Sequence, residues 1–412
     1  MLGAVSLAAV LIEAEEWLTP NVFDDWPRIF GAGAVGARGL LTTIATSMIT
    51  VAGVVFSSTL IALSLAASQY SSRVLRNFMS DRRTQSVLGA FVGIFAYCLV
   101  VLRTIRGGDE GVFVPSLAVL AGLLLGFVGI AVLIYFIHHI SRAIQASHIL
   151  AAVSAETLQT VDRLFPEGAA GEDTAAEPGP MGAAQAWHPM VAAKTGYVQG
   201  LDTHGLLAFA SERQTVVRME ARVGQFVLED MPLLSLRGTP PTDDDCRRLK
   251  GLYAIGRQRT AKEDAAFGIR QLVDVALRAL SPGINDTTTA VMCIDHLTAI
   301  LVRLAGRRIE SRYRSADGEV RLLTRGPTYA DFIGESFDQI RQNAAGNVAV
   351  LEGLLGSLER LASRTTGPSR RHVLLEHALA VAELGQQSVP APRDRQRVDV
   401  RSAHIIALLR DA

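Results

Sequence analysis

Two stretches of this sequence carry residues whose types and spacing could do chemistry. The first is SPGINDTTTA, Ser281 to Ala290, set between apolar segments. Asp286, with Asp274, Asp295 and His296 nearby in sequence, would suit an anion or metal at a helix N-terminus. The simpler reading is a helix stop followed by a helix start. Pro282 ends the first helix by forcing the residue before it out of the α region. Gly283 tolerates a left-handed turn, and Asn285 or Asp286 caps the next helix by accepting from its orphan N–H groups. Cys293 and His296 are three apart on that helix and could touch, but Cys293 lies in the apolar run AVMCIDHL, where a buried, inert thiol is expected. G-x-S-x-G, H-E-x-x-H and Walker-type phosphate loops are all missing. No catalytic, cofactor-binding or metal-ligating set is read, and an enzyme is the least favoured class.

The second stretch is a row of hydroxyls. At about 100° per residue, Thr43, Thr46, Ser47, Thr50, Gly53, Ser57, Ser64 and Ser68 share one arc of roughly 120°. Ile44, Val51 and Val55 lie opposite. In lipid, small and hydroxyl residues commonly serve close helix packing. The same row would also suit the wall of a water-filled path in an oligomer.

The elements that must hold these residues follow from hydropathy. The chain has 412 residues, 49% hydrophobic and only 19% charged, with a mean hydropathy of +0.27. Forty basic residues balance forty acidic ones, so no global field favours nucleic acid. The cysteines Cys98, Cys246 and Cys293 match no zinc or redox spacing. Three uncharged apolar runs, Leu40 to Ala67, Ser86 to Leu102 and Val112 to Ile137, meet the length of about 17–25 residues needed to span a bilayer. The opening MLGAVSLAAVLI is shorter and is expected to be the second half of a span whose start is missing. Helices are therefore expected at about 1–14, 38–68, 84–104 and 112–140. Gly89/Gly93 and Gly122/Gly126 form two GxxxG patterns suited to close packing.

Charge orients these spans. Arg73, Arg76, Arg82 and Arg83 follow the second span, whereas Glu13, Glu15, Glu16, Asp24 and Asp25 follow the first. The positive-inside rule places the basic loop and the long C-terminal part in the cytosol. The four arginines alternate with Val74, Leu75, Phe78 and Met79, a pattern that could also rest on anionic inner-leaflet lipid.

Past the membrane, helix is expected to continue over 141–164, followed by a mobile Gly/Pro/acid-rich linker over 165–190. The runs GYVQGLD, GLLAFA, TVVRME, GQFVL and PLLSL predict a small antiparallel β-module over 191–238. It is similar to biotinyl- and lipoyl-type modules, but Thr203 to Gly238 contains no lysine to carry the group. Residues 239–412 read as mainly helical. Thr260 and Glu263 predict a capping box. Helix starts are expected near Thr287, Thr328, Ser369 and Val400, and a hairpin turns at Asp317-Gly318.

The phrases TTIATSMITVAGVVFSSTLIALSLAASQYSSRVLRNFMSDRRTQ, GYVQGLD and YAIGRQRTAKEDAAFGIRQLVDVALRALSPGINDTTTA resemble the bacterial "domain of unknown function 2254" family of predicted membrane proteins. Almost the whole chain is covered, although the family's SPGINDP reads SPGINDT here, with Thr287 in the last position. The resemblance implies an architecture and brings no catalytic residues. The expected fold class is thus a membrane α-helical N-terminal domain, three full spans plus a partial first. A cytosolic α+β region follows, with a barrel- or sandwich-like β-module and a helical domain. The expected protein is a multi-pass component of the bacterial inner membrane, in contact with the lipid bilayer and forming a homo-oligomer. Channel-like permeation is the leading expectation, and a membrane-anchored scaffold for a cytosolic protein partner is the alternative.

Overall fold

The computed structural model describes residues 2–17, 33–69, 82–106, 113–143, 145–167, 186–309, 312–314 and 318–410. The chain divides into two compact units, Met1–His148 and Ile149–Ala412.

Among the described residues the first unit holds four apolar helices: α1 (Leu2–Trp17), α2 (Ala34–Gln69), α3 (Arg82–Thr104) and α4 (Ser116–Ala143). Long unbroken runs of apolar residues without proline make them helical, and the last three are long enough to cross a bilayer. Helix α3 packs against the other three, and α2 and α4 also meet directly. The core between them contains Leu41, Ala45, Met48, Phe91, Ile94, Tyr97 and Val101. The Tyr97 hydroxyl donates to the Ala118 carbonyl at 2.8 Å, joining α3 to the start of α4. Arg38 donates to the Ile105 carbonyl at 2.7 Å, tying α2 to the chain leaving α3.

Of the two GxxxG patterns, the one in α4 has a tight role. A Cβ at Gly122 would stand 2.7 Å from Leu41 Cδ2, one at Gly126 3.5 Å from Ile44 Cδ1, and one at Gly129 2.6 Å from Met48 Sδ. The α4 glycines therefore form a groove that receives the large side chains of α2. Gly89 of α3 faces open space, and Gly93 only approaches Ala4. Outward, Val54, Phe56, Ile61, Phe127, Val128, Ile130 and Ile134 are each more than half exposed, an apolar surface suited to lipid rather than water.

The second unit is rich in helix and carries two small sheets. Helix α5 (Ala146–Leu164) leads into β1 (Trp187–Val191), β2 (Gly196–Leu201), α6 (Thr203–Glu212), β3 (Val217–Met219), β4 (Phe226–Val227) and β5 (Pro232–Arg237). Then come α7 (Asp243–Gly251), β6 (Tyr253–Gly256), α8 (Ala265–Ala279), α9 (Thr287–Ala305), β7 (Arg312–Arg314) and β8 (Val320–Leu323). Four helices close the chain: α10 (Tyr329–Gln342), α11 (Val348–Ala362), α12 (Pro368–Ser388) and α13 (Pro392–Arg410).

Several local expectations are corrected. GLLAFA is helical, in α6, because Asp202 caps it by accepting from the Gly205 N–H, and Leu206, Phe209 and Ala210 bury one helical face. The strands form two sheets, ordered β1-β5-β3-β8-β7 and β4-β2-β6, rather than one closed module. Nor is the first sheet local to 191–238. It borrows the β7–β8 hairpin, and β8 pairs parallel to β3 through Val217–Leu322 and Arg218–Leu323. Part of the expected linker is strand β1, where Arg218 stacks over the Trp187 ring at 4.3 Å; residues 168–185 lie outside the described residues. The capping box at Thr260/Glu263 is replaced by Asp264, which accepts from the Phe267 N–H at 3.0 Å and is clasped by Arg259. Glu263 instead accepts from the Leu201 N–H. Capping boxes do occur at Thr242/Asp245 and Thr328/Asp331.

Helix α9 is apolar and long enough to qualify as a span by composition alone, yet it is an interior helix. It packs against α8 and α11, Thr298 shares a 2.6 Å hydrogen bond with Ser357 of α11, and Asp295 pairs with Arg360.

The α2–α4 interface yields a contrast that can be measured. Gly122→Val is expected to lower the thermal midpoint of the detergent-solubilised chain, corresponding to about 1–3 kcal/mol of overpacking. Gly89→Val, with open space at its Cβ, is expected to leave the midpoint nearly unchanged. Equal midpoints for the two variants would refute the groove.

Candidate functional site

Helix α2 presents two unlike faces. Ala37, Leu41, Ala45, Met48, Ala52, Val55 and Ala62 are buried within the bundle. Thr43, Thr46, Ser47, Thr50, Gly53, Ser57 and Ser64 are all exposed on the other side; the side chain of Ser68 lies outside the described residues. Among the described residues, the hydroxyl row therefore does not pack against another helix of the chain. Packing inside the bundle falls to the alanines of α2 and the glycines of α4.

Geometry strengthens the pattern. Gly39, Thr43, Thr46, Thr50, Gly53, Ser57, Leu60 and Ser64 recur at alternating steps of four and three, the period that keeps one seam facing a neighbouring helix. A Cβ built at Gly36, Gly39 or Gly53 meets nothing within 4 Å. Thr43 donates to the Gly39 carbonyl and Thr50 to the Thr46 carbonyl, each at 2.8 Å. These hydroxyl protons are satisfied within the helix, while the oxygens remain at its surface.

Of the basic residues after α2, Arg73 and Arg76 lie outside the described residues. Arg82 and Arg83 open α3, where Arg83 is exposed; the Arg82 side chain lies outside the described residues.

At the Ser281–Ala290 hinge, α8 stops at Ala279 and Leu280 is its C-cap. Pro282 and Gly283 follow in the turn, and it is Asn285, at φ 50°, that adopts the left-handed conformation expected of Gly283. Asparagine tolerates this region better than most residues. Asp286 caps α9, accepting from the Thr289 N–H at 3.0 Å and the Thr289 hydroxyl at 2.6 Å. Those two bonds hold its carboxyl below the usual carboxylate range. Thr287, where the family pattern has proline, accepts from the Asn347 side-chain amide at 2.9 Å. Asp274 is taken up by Arg270 at 2.8 Å and Asp295 by Arg360 at 3.1 Å. Cys293 is fully buried. The acidic residues around the hinge are thus drawn to separate partners.

A feature not anticipated from sequence is a cleft of about 1310 Å³ in the second unit. One wall is made of loops that leave the β-strands, with Arg222, Gly224, Arg259 and Arg325. Helices α10 and α12 contribute Glu335, Asp338, Glu376 and His377 to the lining. The lining residues come from sites far apart in the chain, from Leu164 to His377, so no local pattern announces them.

A bundle of apolar helices with outward lipid-suited faces, joined to a helix-rich unit with small sheets, defines a membrane protein. The sequence comparisons make this specific. The family model described as "Predicted membrane protein (DUF2254)" matches residues 1–360, and the chain belongs to that family. Its relatives include the uncharacterized protein MT1328 of Mycobacterium tuberculosis (strain CDC 1551 / Oshkosh) and the uncharacterized protein Mb1321c of Mycobacterium bovis. Each is 36% identical over 370 residues, covering 88% of this chain and 70% of the relative. No solved structure matches the chain.

Asp286→Ala is expected to destabilise the protein by about 1 kcal/mol at neutral pH through loss of the α9 cap. The wild-type advantage is present above the ordinary aspartate pKa of about 3.9 and is lost as pH falls through the lower folded value. Thermal melts of both proteins at pH 7 and below pH 3 check the magnitude and the sign.

Proposed function

We propose that this protein is an oligomeric channel or channel-like permeation protein of the bacterial inner membrane, with the outer hydroxyl face of α2 lining the path between copies. The observation that carries this reading is the exposure of that face. A row of threonine and serine oxygens gains nothing from hydrocarbon, but it can line water or bring backbones together between copies. The four described helices of one chain, with their packing face turned inward, enclose no wide aqueous path. The copies must supply one together. In this reading the second unit is cytosolic and serves assembly or gating. The positive-inside rule supports that placement through Arg73, Arg76, Arg82 and Arg83.

A membrane-anchored scaffold is the second reading. It is favoured by Phe226 and Leu228, about half exposed on and just beyond the edge strand β4, a surface on which a cytosolic protein partner could add. Catalysis is a weaker proposal. The only close thiol–imidazole candidate in the sequence pairs the buried Cys293 with His296, and burial lowers thiolate character.

Single-channel recording from the purified chain in planar bilayers tests the first reading. Discrete openings are expected from wild type. A Thr46→Leu/Thr50→Leu/Ser57→Leu variant should show none while keeping its oligomer size by cross-linking. Silent wild-type oligomers, or unchanged openings in the variant, would refute the pore wall.

A further inference from the structure

The cleft in the second unit has a polarity that its topology explains. Strands β3 and β8 are parallel neighbours, and parallel strands run about 4.8 Å apart. Arg222 and Arg325 lie three and two residues past the carboxyl ends of these strands, so one edge of the sheet delivers both guanidinium groups to the same wall. The space beyond the carboxyl ends of parallel strands is where open α/β sheets take their ligands. Among the described residues neither arginine forms an ion pair; Arg325 makes a 3.3 Å bond to the Glu220 carbonyl. Both side chains are exposed to the cleft.

The other cations of the cleft are already neutralised. Arg259 is bound twice by Asp264, at 2.8 and 3.1 Å, and stacks over Phe267. Arg270 lies 2.8 Å from Asp274, with Gln339 at 2.9 Å and Glu335 only at 3.4 Å. Two carboxylates near the basic wall are occupied by backbone: Glu263 by the Leu201 N–H, and Asp331 by the Thr328 N–H. Gly224, at φ +85°, lies so close to Asp264 and Arg259 that a Cβ there would collide with both, so this pair fills the space beside it.

The part of the lining that α10 and α12 supply is acidic. Glu335 and Asp338 project from α10 and Glu376 from α12. Asp338 pairs loosely with Arg341 at 3.8 Å and with His377 at 3.6 Å, and Glu376 with His372 at 3.3 Å, while Asp338 stays partly exposed. Burial holds His377 below its usual pKa against the opposing pull of Asp338, so it is largely neutral near pH 7.

We propose that this cleft binds a small zwitterion, with a phosphate group on Arg222 and Arg325 and an ammonium group on Glu335 and Asp338. Two guanidinium groups from separate loops fit a tetrahedral dianion, with several oxygens to share, better than a single planar carboxylate. A phosphate and an ammonium group are joined both in a free phosphoamine, whose monoester phosphate is a dianion, and in an aminophospholipid headgroup, whose diester phosphate is a monoanion. The inference is independent of conductance, because its readout is binding.

Phosphoethanolamine is the probe, titrated calorimetrically against the full-length chain in nanodiscs of phosphatidylglycerol. Saturable binding is expected, roughly tenfold or more tighter than for inorganic phosphate or for ethanolamine alone. Arg222→Ala with Arg325→Ala should abolish it. Glu335→Gln with Asp338→Asn should leave phosphate binding but remove the preference for phosphoethanolamine. Circular dichroism of each variant confirms that the fold is kept. Repetition in nanodiscs containing phosphatidylethanolamine separates the sources: weaker apparent binding identifies the lipid headgroup as occupant, and unchanged binding a free molecule. No saturable binding, equal affinity for inorganic phosphate, or wild-type binding by folded variants would overturn the proposal.

Discussion

The organisation of the first unit depends on one packing constraint, the closeness of α4 to α2. At Gly122 and Gly129 there is no room for a methyl group between the α4 backbone and Leu41 or Met48. Glycines permit that approach, and dispersion contacts reward it where no hydrophobic effect operates between helices in lipid. Once Leu41, Ile44 and Met48 face α4, helical geometry gives α2 no choice about its other side. The hydroxyls, on an arc centred roughly 150° away around the helix, must face out of the bundle. The outward seam that lines the proposed path is thus a by-product of where the large side chains had to go.

The second unit relies on a different device, the burial of arginines against main-chain carbonyls. Arg370, 3% exposed, donates to the carbonyls of Ala305 and Arg307 at the end of α9. Arg307, itself buried, donates to the Phe165 carbonyl and to Asp162. These bonds join α5, α9 and α12 at one point. They satisfy helix-end carbonyls that would otherwise be left without donors, and each buried cation finds several acceptors, the condition under which burying charge is tolerable. Nearby, α5 crosses α8 where Gly268 leaves space for Thr157, and Thr160 donates to the Ala261 carbonyl.

Much of this was legible in the chain. The three long apolar runs announce their helices within a few residues, because the length and composition needed for lipid are local properties. The cap at Asp286 and the stop before Pro282 are local too. Other features were hidden for stated physical reasons. GLLAFA reads as a strand until Asp202 is seen to cap it. Asn285 rather than Gly283 takes the left-handed turn, because both residue types allow it and only the direction of the chain decides. Helix α9 passes for a membrane span by composition, since a helix buried on several sides in protein needs the same residues as one buried in lipid.

The sequence by itself determined which segments are apolar, which side of α2 carries hydroxyls, and where helices begin with a good cap. Each of these depends on residues within a turn or two of one another. Only the tertiary structure decided that the hydroxyl side faces outward, that β8 joins β3 across a hundred residues, and that Arg222 and Arg325 line one cleft with Glu335 and Asp338. Those outcomes depend on which surfaces meet, and a surface's partner is set by shape and burial over the whole chain rather than by the residues beside it.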